Sequence, residues 1–341
     1  MVTGIRIAIG IVVLLTLAAC SKEESVPMTE GAAGNVRLEL TLDTREADAS
    51  AIGNETYIHP GDIHVFLFEQ KDEQWIYYDR MSSPTLTDNG KGPRYTLTGT
   101  IYTSQAIDLS QFRFVVLANL SGGCPLSESS SLYPVPGTEL QSFYNRLVYN
   151  YGEQPQENFT NHVMTAMHDK ARIPMWGVAT PQSITPKAEK TYDLGSVNML
   201  RAMAKIEVKM SADLKDKYEL LNVELMHSQT SGMLTPKGAA EFPNTPEVTG
   251  NMTDKEELIE VNIPEGGTDF STFAIQFYKP ESEQGVFYLI CPELPKGEET
   301  DGSQDTHTSR PHMHVRIGSN TESGIGTFPL FFATQRREIV E

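Results

Sequence analysis

Val36-Arg37-Leu38-Glu39-Leu40-Thr41-Leu42 sets an apolar residue at every second position. This is the pattern of a strand with one face in a core and the other in water. The same pattern recurs along the chain. Residues 63–68 (IHVFLF) and 75–78 (WIYY) read as a strand pair across the polar turn 69–74, and 94–102 (RYTLTGTIY) and 112–119 (FRFVVLAN) follow. Extended structure is expected again at 173–179 (IPMWGVA), at 192–194 and across 197–210, where Ala204, Ile206, Val208 and Met210 share one face. The last third repeats it at 218–226, 272–278, 286–291, 313–317 and 327–332, with loops rich in Gly, Pro, Ser and Thr between. Many short strands at this spacing predict an all-β chain of sandwiches. Helical spacing is confined to Leu140, Phe143, Leu147 and Val148, which predicts a helix over 138–149, with a second short one at 161–170. Residues 20–341 exceed one comfortable core, so two domains are expected, 35–195 and 196–341, with the junction near Gly195.

The two ends of the composition narrow the function classes. The chain of 341 residues carries 27 basic and 45 acidic side chains, a formal charge of −18. Such a surface repels phosphate backbones and anionic lipid, which argues against nucleic-acid binding and against attachment to membranes by basic patches. The leader supplies a different attachment. Arg6 precedes an apolar run from Ile7 to Leu17, too short to span a bilayer but suited to a secretion signal. Small residues Ala18 and Ala19 then admit a peptidase beside Cys20. Residues 1–19 therefore read as a signal peptide and 20–34, rich in Ser, Glu, Pro and Gly, as a flexible tether. Beyond Cys20 the cysteines are Cys124 and Cys291, read as two buried thiols.

Residues able to do chemistry are sparse. His307, His312 and His314 cluster, and the spacing of 312 and 314 puts both on one strand face, yet a metal site needs a third ligand and a supporting shell. We read them as polar residues at a strand start. His162 and His168 are six apart and do not align on a helix. No nucleophile elbow, phosphate-cradling glycine loop or Cys-x-x-Cys occurs, and Glu256-Glu257 reads as surface charge. No catalytic, cofactor or metal residue is expected. Trp75, Tyr77 and Tyr78 are the candidates for stacking on sugar rings, which defines the alternative of a glycan-binding surface lipoprotein.

The junction Leu17-Ala18-Ala19-Cys20 resembles the lipobox of bacterial lipoproteins, in which Cys20 would be acylated after cleavage between Ala19 and Cys20. Ser21-Lys22-Glu23-Glu24 is similar to the export signal of Bacteroidales lipoproteins destined for the outer face of the outer membrane. Together with residues 114–119 (FVVLAN), 173–177 (IPMWG) and 200–208 (LRAMAKIEV), these features resemble the fimbrillin superfamily of Bacteroidales. The resemblance implies two tandem transthyretin-like β-sandwiches, no catalysis, and a role as a surface fimbrial (pilus) subunit or anchor in adhesion. It also implies assembly with other fimbrial subunits by strand exchange: a protease cuts after a basic residue, the first strand leaves, and a partner's strand fills the groove. Here the matching bond is Arg45-Glu46. If it stays uncut, the protein keeps its lipid and acts as an anchor. The family's usual closing motif, Arg-Asn-His-x-Tyr-like, is not found at 335–341. Either the sequence is truncated there or an open groove awaits a partner's strand, and a missing donor strand favours an anchor or minor subunit.

Overall fold

The computed structural model describes residues 34–44, 56–88, 94–103, 107–121, 123–150, 172–188, 190–227, 231–245, 275–277, 279, 285–292, 312–319 and 325–331. Among them the strands, in chain order, are β1 (Gly34–Asp43), β2 (Ile63–Lys71), β3 (Gln74–Arg80), β4 (Ser82–Asp88), β5 (Arg94–Thr103), β6 (Phe112–Ala118), β7 (Val148–Asn150), β8 (Met175–Ala179), β9 (Thr191–Asn198), β10 (Leu200–Arg201), β11 (Met203–Lys209), β12 (Tyr218–Met226), β13 (Ser231–Met233), β14 (Ile275–Gln276), β15 (Val286–Pro292), β16 (His312–Ser319) and β17 (Ile325–Phe331). One α-helix, α1 (Leu140–Tyr144), lies between β6 and β7. The fold is all-β, as the alternation predicts.

Two sheets form the first sandwich. One has the order β4-β5-β1-β9, the other β10-β8-β6-β2-β3. Alternation along β1 puts Val36, Leu38, Leu40 and Leu42 inward, the last three fully buried, and leaves Arg37, Glu39 and Thr41 on the outer face. They share a core with Val65 and Leu67 of β2 and with Phe112, Phe114 and Val116 of β6. β2 and β6 are not one-faced strands. Phe66 and Phe68 of β2, with Val115 and Leu117 of β6, point the other way into a second core, which explains why both strands read as nearly continuous apolar runs. That second core holds Phe143, Tyr144 and Trp176 and is continuous with Leu220, Val223 and Leu225 of β12 and Met313 and Val315 of β16.

The later strands make a pair, β11-β15, and a sheet of order β14-β12-β16-β17. The sequence expectation of one strand through 197–210 is corrected to the end of β9, the short β10 and β11. Each pairs with a different partner: β1, β8 and β15. Gly195 lies within β9 at φ +87, where the register against β1 slips between Glu39 and Thr41. A bulge there needs the left-handed backbone that glycine reaches without cost. β9 then continues along β1 to Asn198.

The helix expected over 138–149 is also corrected, to the five residues of α1. Glu139 at its N-cap makes no side-chain hydrogen bond to the first turn. Beyond Asn145 the Leu147 N–H bonds back to the Tyr144 carbonyl in a tight turn, and Val148 and Tyr149 enter β7, which pairs with β13. β-branched and aromatic residues favour that outcome. The spacing was informative about burial all the same, since Leu140, Phe143 and Leu147 all sit in the second core. Of residues 272–278, expected as one strand, only Ile275–Gln276 is described as strand, and the helix expected at 161–170 lies outside the described residues.

Candidate functional site

β1 lies between Cys20 and Arg45, the two residues that the sequence singles out. It is a central strand, antiparallel to β5 from Gly34↔Thr103 to Asp43↔Arg94 and parallel to β9 from Arg37↔Thr191 to Asp43↔Asn198. Its backbone is therefore bonded on both sides. The Arg37 N–H donates to the Lys190 carbonyl at 3.1 Å, and the Met199 N–H donates to the Asp43 carbonyl at 2.8 Å. At the far end the Arg94 guanidinium holds the Asp43 carboxylate, Nε to Oδ2 3.1 Å. Burying one valine and three leucines stabilises the strand by roughly 6–12 kcal/mol. A segment held that strongly does not leave unaided, but an incoming strand with the same alternation recovers the same burial and the same ladder.

The chain resumes on the opposite sheet, held by hydrogen bonds that do not involve β1, although Ile58 is buried in the same core as its leucines. Asn119 ends β6 at φ +61, in the left-handed region where Asn is among the more tolerant residues. Its buried Nδ2 donates to the carbonyls of Tyr57 (2.8 Å) and Ile173 (2.9 Å), and its Oδ1 accepts from the His59 N–H at 2.9 Å. Its own N–H donates to the Asp62 carbonyl at 2.9 Å. One amide thus joins residues 57–59, the end of β6 and the entry to β8.

Asp62 completes the latch. Its Oδ2 accepts from the Ser121 N–H at 2.9 Å, and His64 Nε2 stands 3.7 Å from Oδ1. Burial alone pushes this carboxyl up, but hydrogen bonds from His64, Ser121 and the Leu120 backbone outweigh it and lower the pKa to about 2. A depressed carboxylate contributes stability that is fully present above its ordinary value of 3.8 and is lost as pH falls through about 2. The contribution is about 2 kcal/mol. Urea midpoints of the native chain are expected to fall between pH 4 and pH 2 by more than those of Asp62→Asn, which starts lower and varies less.

The other sequence-derived sites divide as follows. Ala19, Cys20, Arg45 and Glu46 lie outside the described residues, as do His162, His168 and His307. Thr44, the last described residue before Arg45, is 1% exposed. Trp75, Tyr77 and Tyr78 are not an outward stacking platform. Arg113 lies over the Trp75 ring at 4.2 Å and donates through Nη1 to the Ala240 carbonyl. Tyr77 meets Phe66 and Phe68 edge-on, and Tyr78 meets Phe112. With side chains from both faces of β3 packed onto neighbouring cores, the alternation that would turn one ring outward does not operate. Cys124 is buried, and burial pushes its thiol up to about 12, so it is unreactive at neutral pH. Among the described residues no three His, Cys, Asp or Glu side chains converge on a metal position. His312 and His314 do share a strand face, and His227, which the sequence reading passed over, joins them across the β12–β16 register.

The sequence matches no family model and no curated protein. In structure it is similar to the tip fimbrial protein Mfa3 of Porphyromonas gingivalis with a C-terminal truncation, at 10% identity and a TM-score of 0.45, over 88% of this chain and 82% of that one. It is also similar to a fimbrial assembly protein of Parabacteroides distasonis, at 13% identity and a TM-score of 0.42, over 87% of this chain and 85% of that one.

Proposed function

We propose that this chain is a non-catalytic fimbrial subunit of the bacterial surface, anchor-like, joined to its neighbours by strand exchange and serving adhesion. The observation that carries the reading is β1: an amphipathic strand with its apolar face buried, bonded on both edges and followed, directly after Thr44, by the basic Arg45. In this reading Cys20 is the acylated residue freed by cleavage after Ala19, and the Arg45-Glu46 bond is the candidate maturation site, which the anchor leaves uncut and a polymerising subunit would have cut. Before that cut, β1 ties the lipid-bearing tether into the core of the first sandwich. A subunit in that state is pulled from the outer membrane only by unfolding the sandwich or extracting its acyl chains, each buried methylene contributing about 0.8 kcal/mol. After the cut, the cleft between β5 and β9 becomes an acceptor for a partner's strand, which gains a main-chain ladder on both sides.

Labelling cells with radioactive palmitate and weighing the surface protein tests this. The anchor reading expects label on a chain that begins at Cys20, lost in Cys20→Ala, together with fimbriae that are shed or altered in length in a deletion strain. An unlabelled protein, or fimbriae unchanged by the deletion, contradicts it.

A further inference from the structure

Four buried polar groups at the second core, all able to donate a hydrogen bond, have no partner: Arg113 Nε, Trp176 Nε1, the Tyr144 hydroxyl and the Thr235 hydroxyl. Arg113 is 7% exposed, Thr235 2%, and the other two less. Native cores keep such orphans rare, and an unpaired buried cation is the costliest kind. The four come from elements that close on one another. Arg113 stands two residues before Val115 on β6, so it leaves the face that looks into the second core. There it lies over the Trp75 ring and donates to the carbonyl of Ala240, in the short 3-10 turn Ala239–Glu241. That turn packs on α1, which carries Tyr144, and the Tyr144 ring meets the Trp176 ring edge-on at 5.9 Å. Thr235 leads into the turn and follows Leu234, whose N–H donates to the Leu147 carbonyl at 3.0 Å just past α1. Burial pushes the Tyr144 hydroxyl up, while the Trp176 N–H and the Arg113 charge pull it back; both stand near that hydroxyl, and neither bonds to it at hydrogen-bond geometry. Burial also lowers the Arg113 pKa, and Tyr144, not a carboxylate, is the group that opposes it.

The structure assigns this corner to a small monovalent anion of halide size, held by the Arg113 Nε–H together with the Trp176 N–H and the hydroxyls of Tyr144 and Thr235. Each free group there can donate, so what the corner lacks is an acceptor. A guanidinium stays charged at any pH the fold survives, so it needs a negative partner and not merely a polar one. Water would take some of the hydrogen bonds and leave that charge unmatched. A phosphate dianion would carry more charge than one guanidinium neutralises, and the excess would sit among apolar side chains. No carboxylate among the described residues acts on Arg113, so the chain itself supplies no counter-ion there. A halide carries one charge, is spherical, and accepts from several directions at once. Bound there, it would join β6 and β8 of the first sandwich to the turn 235–241, which follows β13 in the chain.

The test is urea unfolding of the mature chain in sodium bromide, with sodium gluconate holding the ionic strength constant, and the anomalous signal of bromide in crystals of the same chain. An ion that binds only the folded state stabilises it by mass action. With a dissociation constant of about 10 mM, the ratio of folded to unfolded chain rises about 10-fold between about 1 and 100 mM bromide. The rise is expected to vanish in Arg113→Met, which keeps an unbranched stem against Trp75, and this variant also subtracts any general effect of the salt. It is expected to shrink in Tyr144→Phe, which loses one hydroxyl and decides the matter if Arg113→Met does not fold. Crystals are expected to show one bromide in hydrogen-bond contact with Arg113 Nε. No rise with bromide, an undiminished rise in a folded variant, or water in place of bromide beside Arg113 overturns the proposal.

Discussion

Leu40→Asp is expected to unfold the first sandwich outright. Leu40 is wholly buried at the middle of β1, between β5 and β9 and above the apolar faces of β2 and β6. Among the described residues its core neighbours are apolar, and an isolated buried charge costs more than about 4 kcal/mol even after the protein relaxes. Leu40→Ala is the graded version, expected to cost about 2–5 kcal/mol through lost transfer energy and a cavity. Glu39→Gln, one residue away on the outer face, is expected to stay within about 0.5 kcal/mol of the native chain. Urea denaturation followed by circular dichroism separates the three. A folded Leu40→Asp chain of native stability would mean that β1 is not held in the core.

Asn119→Ala is expected to be the second most damaging change, at about 3–5 kcal/mol. It removes an amide that serves three backbone groups, the carbonyls of Tyr57 and Ile173 and the N–H of His59, and burial keeps water from replacing all of those bonds. Each orphaned group costs about 1–3 kcal/mol, and alanine at φ +61 adds about 1 kcal/mol of backbone strain. Asn119→Gly keeps the backbone relaxed and loses the same bonds, so it isolates them: it is expected to recover about 1 kcal/mol over alanine and no more. Equal stability of Asn119→Gly and the native chain would show that the latch is unimportant. The latch ties residues 57–59 to the end of β6 through bonds that β1 does not make.

Legibility followed the range of the interaction. β12 is found where its pattern lies, at 218–226, because inside–outside alternation is a local property. β4 (SSPTLTD) was missed because an edge strand with little buried surface shows no alternation and tolerates Pro84. The two-faced burial of β2 and β6 was recorded in their unbroken apolar runs, yet only the position of a second core gives that signal its meaning. Residues 114–119 stand out in the sequence, but what Asn119 does depends on residues 57, 59 and 173, which no local pattern brings near it. His227 was invisible for the same reason, since it meets His312 only through the register of an antiparallel pair far apart in sequence. The stacking role considered for Trp75 failed on a partner from β6, Arg113, that sequence proximity does not suggest.

The central claim is that β1 is an exchangeable strand, and a strand-replacement assay tests it most directly. The purified mature chain is cut at Arg45 by a trypsin-like protease and mixed with a fluorescent peptide of residues 34–44. The account predicts that the cut chain, and not the intact one, takes up one peptide per molecule in competition with its own β1, and that the same peptide carrying Leu40→Asp is refused. A chain cut completely at Arg45 that takes up neither peptide, or takes up both equally, would contradict it.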